Sequence, residues 1–104
     1  MNRNIRNKPY HPLGKVKEAI KNGEYEINET ALKNADDHFG WSTVDIEKAL
    51  QGLKHKHFTS SKRHFTNPDL WVDHYRANGL MGENVYTHFH FDGAVLIIES
   101  LKRR

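Results

Sequence analysis

Residues 84–102 read NVYTHFHFDGAVLIIESLK. Aromatic and β-branched side chains are frequent on both sides of the pair Asp92-Gly93. An Asp-Gly pair between two such runs is typical of a two-residue hairpin turn, because both residue types tolerate positive φ. We therefore predict strands over Asn84–Phe91 and Ala94–Lys102, paired antiparallel.

Two further strands are predicted upstream of this hairpin. His57–His64 and Leu70–Ala77 are also rich in aromatic and β-branched residues, and they are bounded by the turn-forming pairs Asn67-Pro68 and Asn78-Gly79. The second half of the chain is therefore expected to form an antiparallel sheet.

The first half has helical spacing instead. One helix is expected between Pro12, which suits a first helical position, and Gly23, which suits the residue after the end. Asn28 can cap a second helix that stops at Gly40, and Ser42 can cap a third. The predicted inward residues are Leu32, Ala35 and Phe39 in the second helix, and Ile46, Ala49, Leu50 and Leu53 in the third. Three N-terminal helices packed on a C-terminal antiparallel sheet make an α+β domain.

Length and composition limit the alternatives. The 104 residues suffice for one domain, which we expect over residues 12–104, and residues 1–11 are expected to form a loose N-terminal arm. The chain has no cysteine, so disulfides and thiol chemistry are excluded and a reducing cytoplasm is the expected location. No signal peptide or membrane span is expected, since the longest apolar run is Ala94–Ile98.

Charge is segregated along the chain. The segment from Glu24 to Glu47 has seven acidic residues and a single lysine, whereas the segment from Lys48 to Pro68 has no acidic residue and several Lys, Arg and His. The net charge is +3. Such segregation favours a one-sided positive field and an anionic partner.

Strand alternation predicts one polar sheet face. On the third strand Tyr86, His88 and His90 point one way, and Val85, Thr87, Phe89 and Phe91 point toward the helices. His74 and Arg76 of the second strand are expected beside Tyr86 and His88. Ser60, Lys62 and His64 have one parity on the first strand, provided that no bulge interrupts it.

These residue types suit RNA cleavage by internal transesterification. That reaction needs a base for the 2′-hydroxyl, cations for the phosphate and an acid for the departing 5′-oxygen. Histidine can donate or accept a proton near neutral pH, and aromatic rings such as Tyr86 and Tyr75 can stack on splayed bases.

Longer stretches of the chain resemble one family. Residues 11–53, HPLGKVKEAIKNGEYEINETALKNADDHFGWSTVDIEKALQGL, are similar to the amino-terminal half of MqsR toxins, and LWVDHYR at 70–76 and VYTHFHFDGAVLIIES at 85–100 extend the likeness. The resemblance implies an mRNA interferase with a RelE-like toxin domain at residues 12–104. It also implies a type II toxin-antitoxin system with a cognate antitoxin, single-stranded mRNA as substrate, and the ribosome as a further candidate partner.

The resemblance assigns the site residue by residue. The family's active site has two lysines, a glutamine and a tyrosine, of which the tyrosine corresponds to Tyr86. One lysine position falls at Ser60, two residues before Lys62, the glutamine position is Val72, and the other lysine falls near Lys102. Our hypothesis is that histidines, especially His88 and His64, take over the proton transfers, and that Lys62 and Arg76 hold the phosphate. The candidate catalytic residues are Lys62, His64, Arg76, Tyr86 and His88, and the candidate RNA-binding residues are Lys56, Ser60, Arg63, His74, Tyr75, His90 and Lys102.

Three alternatives remain open from the sequence. His88 and His90 could bind zinc together with His74, but neither a cysteine nor an adjacent carboxylate supports this, so no metal and no cofactor are expected. The chain could instead be a non-catalytic RNA-binding module. It could also be an inactive toxin relative that acts through a protein partner.

Overall fold

Residues 4–104 are described by the structure, a computed structural model. Within them lie three α-helices, α1 (Leu13–Lys21), α2 (Glu29–Phe39) and α3 (Thr43–Gln51), and a single 3-10 turn at His55–His57. Six strands complete the described part: β1 (Ile5–Arg6), β2 (Tyr25–Ile27), β3 (Phe58–Arg63), β4 (Trp71–Leu80), β5 (Glu83–Asp92) and β6 (Val95–Arg103). The α+β class and the helices-before-sheet order are confirmed. Among residues 4–104, no helix is long and apolar enough to cross a membrane.

The helix ends follow from local chemistry. Gly40 ends α2 in the left-handed conformation, with φ of 70°, which a residue without Cβ adopts at little cost. Before α3, the backbone amide and the hydroxyl of Ser42 both donate to the Asp45 carboxylate, at 3.0 and 3.1 Å. Pro12 lies one position before α1 rather than inside it.

One predicted inward residue was wrong. Leu32 is 40% exposed, whereas Ala31 and Ala35 are fully buried. The side of α2 that faces the sheet consists of small residues, which allow the helix to lie close to β6. Close approach therefore decides the orientation of this helix, and the larger Leu32 is turned outward.

All six strands form one sheet in the order β1-β3-β4-β5-β6-β2. Every pairing is antiparallel except that of β2 with β6, which is parallel. Of the two edge strands, the three-residue β2 lies within the short extended segment expected at Glu24–Ile27 between the first two helices, whereas the two-residue β1 was not predicted. Segments that short have no measurable periodicity, so only pairing with a longer neighbour defines them.

The hairpin between β5 and β6 is confirmed, with its turn one residue later than predicted. Asp92 still pairs with Val95, so the two turn residues are Gly93 and Ala94. Gly93 has φ of 61° and Ala94 has no positive φ, which is the pattern of a type II′ turn with glycine first.

The hydrophobic core lies between the helices and one face of this sheet. Val85, Thr87 and Phe89 of β5 point into it and are at most 1% exposed, as their alternation predicts. Within residues 4–104 the opposite face carries no helix, because α1, α2 and α3 all contribute to the same core cluster. Polar side chains on that open face are thus free to form a site.

Part of the expected loose arm is bound to the sheet. Residues 1–3 lie outside the described residues. Ile5–Arg6 pairs with β3, and the backbone amides of Tyr10 and His11 donate to the two carboxylate oxygens of Asp73, at 3.0 and 2.9 Å. Asp73 is completely buried. A buried carboxylate needs donors, and the arm supplies them.

Replacing this carboxylate should loosen the N-terminal segment. In Asp73→Ala the two amides lose their acceptor, and we expect the free energy of unfolding to fall by about 2–4 kcal/mol. Urea denaturation of the variant and the wild type measures the change. Asp69→Ala, at an exposed aspartate in the loop between β3 and β4, is the matched control and should change stability little. Equal loss in both variants would contradict the anchoring role of Asp73.

Candidate functional site

Three neighbouring strands, β4, β5 and β6, place polar side chains on the open sheet face. His74 lies directly opposite His88, and Arg76 lies opposite Tyr86, in the β4–β5 pairing. On the other side of β5, Ser100 pairs with His88 and Lys102 pairs with Tyr86. Directly paired residues of antiparallel strands project to the same face, so these six groups form one surface.

The Tyr86 hydroxyl lies between two imidazoles. Its oxygen is 2.7 Å from Nδ1 of His74 and 2.8 Å from Nδ1 of His88. The centroids of the two imidazole rings are 4.8 Å apart. Among residues 4–104, neither Nε2 atom has a hydrogen-bond partner within the protein, so these atoms remain available to a ligand.

Burial keeps this group neutral near pH 7. Desolvation, reinforced by the charges of His88 and Lys62, lowers the pKa of His74 to about 4, although Glu99 opposes the shift. Desolvation also lowers the pKa of His88 and raises that of Tyr86. Neutral imidazoles at neutral pH are able to act as proton acceptors.

An unpredicted carboxylate lies on the same face, at a β-bulge. The β5–β6 register shifts between His88 and Phe89. His88 pairs with Ser100 and Phe89 pairs with Ile98, so Glu99 is the extra residue on β6. Its two oxygens contact Nε2 of His64, at 2.9 Å, and Nδ1 of His90, at 3.0 Å. Burial tends to raise the pKa of Glu99, but the hydrogen bonds and charges of both histidines outweigh it, and the pKa lies below its usual value.

The loop after β3 determines the tautomer of His64. The backbone amides of Thr66 and Asn67 point at Nδ1, at 3.1 and 3.3 Å, so Nδ1 is an acceptor. The ring proton must then reside on Nε2, where it is donated to Glu99. Both ring nitrogens of His64 are therefore engaged, which favours a bracing role over direct proton transfer.

His64, His90 and Glu99 are also the group in the described residues that most resembles a metal site. Their ligand atoms lie within 4.8 Å of one another. A metal on Nε2 would require the proton of His64 on Nδ1, facing two amide donors instead of the acceptor that metal-bound histidines normally have. The donor set does not fit a metal ion. The sequence-based zinc alternative grouped His90 with His74 and His88, and it is corrected, because His90 bonds to Glu99 instead.

Cations surround Tyr86. Lys102 places its Nζ 5.7 Å from the centre of the Tyr86 ring, and Arg76 lies across the strand from it. Both border a cavity of about 470 Å³ with Tyr86 and His88, and none of its described lining residues is acidic. Lys62 is exposed on β3 and acts electrostatically on His74. This is an anion-binding environment.

Several predicted RNA contacts lie elsewhere. Tyr75 is 0% exposed and belongs to the core, so it cannot stack on a base, and burial raises its pKa to about 12. Arg63 belongs to the opposite parity, with its guanidinium 4.7 Å from the centre of the Trp71 ring. Lys56 lies in the 3-10 turn beside a separate cavity. His90 is only 6% exposed and contacts Glu99.

The remaining predicted residues lie on the open face. Ser60 pairs with His74. The β3–β4 register shifts between Phe58 and Ser60, and such a bulge was the condition under which the predicted shared face of Ser60, Lys62 and His64 would fail. Alternation resumes after the shift, so Ser60 and Lys62 share the site face. The parity prediction for Lys62 thus agrees with the structure.

Sequence reasoning missed two residues at this site. Glu99 alternates with the buried Leu96 and Ile98, so strand periodicity was a signal that could have placed it on the open face, whereas its contacts with His64 and His90 depend on the fold. Phe65, directly after His64, is 99% exposed. Its exposure is a property of the folded loop, and the sequence has no signal that distinguishes it from the buried phenylalanines.

Comparison with known proteins identifies one family. The family model described as "Motility quorum-sensing regulator, toxin of MqsA" matches residues 8–103. No curated protein matches the chain.

The low pKa of His74 predicts acid sensitivity. Between about pH 6.5 and about pH 4 the unfolded state binds a proton that the folded state does not, so the free energy of unfolding should fall as the pH falls through this window. His74→Gln removes this proton uptake. The variant should lose less stability on acidification than the wild type, measured by urea denaturation at both ends of the window.

The matched control is His55→Gln, at an exposed histidine in the 3-10 turn. Its stability should follow the wild-type pH dependence. If the free energy of unfolding fell equally with pH in the wild type and in His74→Gln, the prediction would be contradicted, because His74 would then bind a proton equally well in the folded and unfolded states.

Proposed function

The chain belongs to the MqsR toxin family, and from this premise we propose that it is an mRNA interferase that cleaves single-stranded RNA by 2′-hydroxyl attack, without a metal. Family membership makes it a toxin of a toxin-antitoxin system with a cognate antitoxin. The observation that supports the proposed activity is the pair of imidazoles joined by Tyr86 beside Arg76 and Lys102.

The two imidazoles meet the proton requirements of the reaction. A base must remove the 2′-hydroxyl proton while an acid protonates the 5′-oxygen. The Nε2 atoms of His74 and His88 are the available proton-transfer atoms on this face. His64, whose nitrogens are both engaged, braces the site through Glu99.

Arg76, Lys102 and Lys62 are proposed to hold the phosphate. Negative charge increases on the non-bridging oxygens as the 2′-oxygen attacks, and fixed cations stabilise it. Arg76 and Lys102 lie on either side of Tyr86, so a phosphate bound between them would lie next to His88.

Phe65 is proposed to stack on a base next to the cleaved bond. Single-stranded RNA is commonly gripped by exposed aromatic rings. The backbone after Phe65 is held by the contacts of the Thr66 and Asn67 amides with His64, and the exposed ring is open to a base. It takes the stacking role that sequence analysis assigned to Tyr75.

The resemblance to MqsR toxins also bears on the fold type, the cellular location and a further partner. We propose that the α+β fold is RelE-like, that the protein acts in the cytoplasm where mRNA is present, and that the ribosome is a candidate partner. An inactive relative is the second candidate. It is favoured by the apolar Val72, 5% exposed, at the position where the family has its glutamine.

Purified protein incubated with labelled single-stranded RNA in EDTA should produce fragments with 2′,3′-cyclic phosphate and 5′-hydroxyl ends. His88→Ala should lower the cleavage rate by about 100-fold or more, because one proton-transfer group is lost. Product ends are identified by mass spectrometry. His55→Ala, which changes an exposed histidine outside the site, should cleave at the wild-type rate.

Other results of this RNA assay would indicate a different function or a metal requirement. RNA that is bound but recovered whole, in a salt-sensitive manner, would replace the enzyme with a binding module. RNA neither bound nor cut would favour the inactive relative. Cleavage that disappears in EDTA and returns with Mg²⁺ would exclude the metal-independent reaction.

Removing the Phe65 ring should weaken substrate binding without affecting chemistry. Phe65→Ala is expected to raise KM by about 5-fold to 100-fold, the effect of one lost base stack, with kcat nearly unchanged. Phe65→Trp should restore the wild-type KM. A loss of kcat with unchanged KM in Phe65→Ala would argue against the stacking role.

A further inference from the structure

One hydroxyl proton serves two hydrogen bonds at the centre of the site. Tyr86 contacts Nδ1 of His74 and Nδ1 of His88, at 2.7 and 2.8 Å. A phenol has a single O–H, so it donates to only one of these nitrogens. For the second short contact to be a hydrogen bond, the other Nδ1 must carry a proton and donate it to the phenol oxygen.

This requirement places the two histidines in opposite tautomers. The imidazole that receives the Tyr86 proton has an unprotonated Nδ1, so its own proton is on Nε2. The imidazole that donates to Tyr86 carries its proton on Nδ1, so its Nε2 has a free lone pair. The two Nε2 atoms therefore differ chemically, although the residue types are identical.

We propose that His74, Tyr86 and His88 form a tautomer-paired proton relay, in which one Nε2 is the general base and the other is the general acid of RNA cleavage. This inference deepens the proposed function and rests on it. Tyr86 is the positioning residue of the relay, and His74 and His88 are its catalytic residues.

The relay conserves protons through the reaction. The 2′-hydroxyl proton passes to the bare Nε2 of the first histidine while the 2′-oxygen forms its bond to phosphorus. That histidine passes its Nδ1 proton to Tyr86, and Tyr86 passes its hydroxyl proton to Nδ1 of the second histidine. The second Nε2 gives its proton to the 5′-oxygen as the bond from phosphorus to that oxygen breaks. The products are a 2′,3′-cyclic phosphate and a 5′-hydroxyl, and both histidines have exchanged tautomers.

Burial of the trio suits a relay of neutral groups. Concerted transfer never requires an isolated imidazolium or phenolate, both of which are costly in a partly buried site. The lowered pKa of each histidine and the raised pKa of Tyr86 agree with this, because burial disfavours their charged forms. Arg76 and Lys102 remain available for the phosphate rather than for a charged histidine.

Nuclear magnetic resonance tests the tautomers without reference to activity. Two-bond ¹⁵N–¹H correlation spectra of the full chain at neutral pH report, for each histidine, the fraction of molecules with a proton on Nδ1. We expect the fractions of His74 and His88 to add up to one proton, whether the relay is static or exchanging. In Tyr86→Phe both rings should revert to the Nε2–H form that free imidazole side chains prefer, and the sum should fall toward zero.

Tyr25→Phe is the matched control. This variant also removes a tyrosine hydroxyl from a side-chain hydrogen bond, here 2.7 Å from Glu47. Tyr25 lies on the edge strand β2, outside the site. Both the tautomer sum and the cleavage rate should remain as in the wild type. An effect of removing any hydrogen-bonded tyrosine hydroxyl would appear in this variant as well and is thereby separated from the relay.

Kinetics tests whether the relay is used. Tyr86→Phe should lower kcat by about 100-fold or more with KM little changed, and adding His88→Ala to it should cost little more, because the three groups act as one unit. The wild-type solvent deuterium isotope effect should indicate several protons in flight, and Tyr86→Phe should reduce that number. Retention of wild-type kcat in Tyr86→Phe would overturn the relay.

The proton relay and the interferase activity can be disproved independently. RNA cleavage with both histidines in the Nε2–H form would overturn the tautomer-paired relay and leave the interferase standing. Intact RNA with a tautomer sum of one would overturn the interferase and leave the hydrogen-bonded pairing as a property of the fold.

Discussion

The pairing of β5 with β6 is the interaction on which the other parts of this molecule depend. It contributes Val85, Phe89, Leu96 and Ile98 to the core, and β2 and α2 are both attached to β6. The same pairing contains the bulge at Glu99. One extra residue in one strand keeps Ile98 and Leu101 in the core while Glu99 and Ser100 both belong to the site, which a regular strand could not achieve.

The polar face remains ordered because its groups satisfy one another. Tyr86 joins His74 to His88, and Glu99 joins His64 to His90. Unpaired polar groups at this depth would destabilise the fold, whereas a satisfied network holds each ring in one orientation. The same partial burial lowers the pKa of His74 and His88. The order of this face and the lowered pKa values of its histidines thus share a physical origin in the desolvation of a hydrogen-bonded cluster.

The departures from the family pattern occur together on this face. Ser60 and Val72 occupy positions where the family has a lysine and its glutamine, and both belong to the surface that holds His74 and His88. Their neighbours supply chemistry that serine and valine lack. Tyr86, the residue that matches the family, is the one bonded to both imidazoles.

Local periodicity, capping and turn chemistry were enough to predict the α+β class, the three helices, the four long strands and the hairpin. The sequence also predicted that Tyr86, His88, His74 and Arg76 share a face, since alternation is a local property of strands. The edge strands, the burial of individual side chains and the long-range polar contacts depend on the assembled fold. The edge strands exist through pairing with longer neighbours, Tyr75 is buried by packing, and Asp73 fastens the N-terminal segment across 62 and 63 residues of sequence. Glu99 reaches His64 across 35 residues through a bulge. Such contacts depend on register and on the satisfaction of buried polar groups, which are properties of the assembled sheet rather than of any single segment.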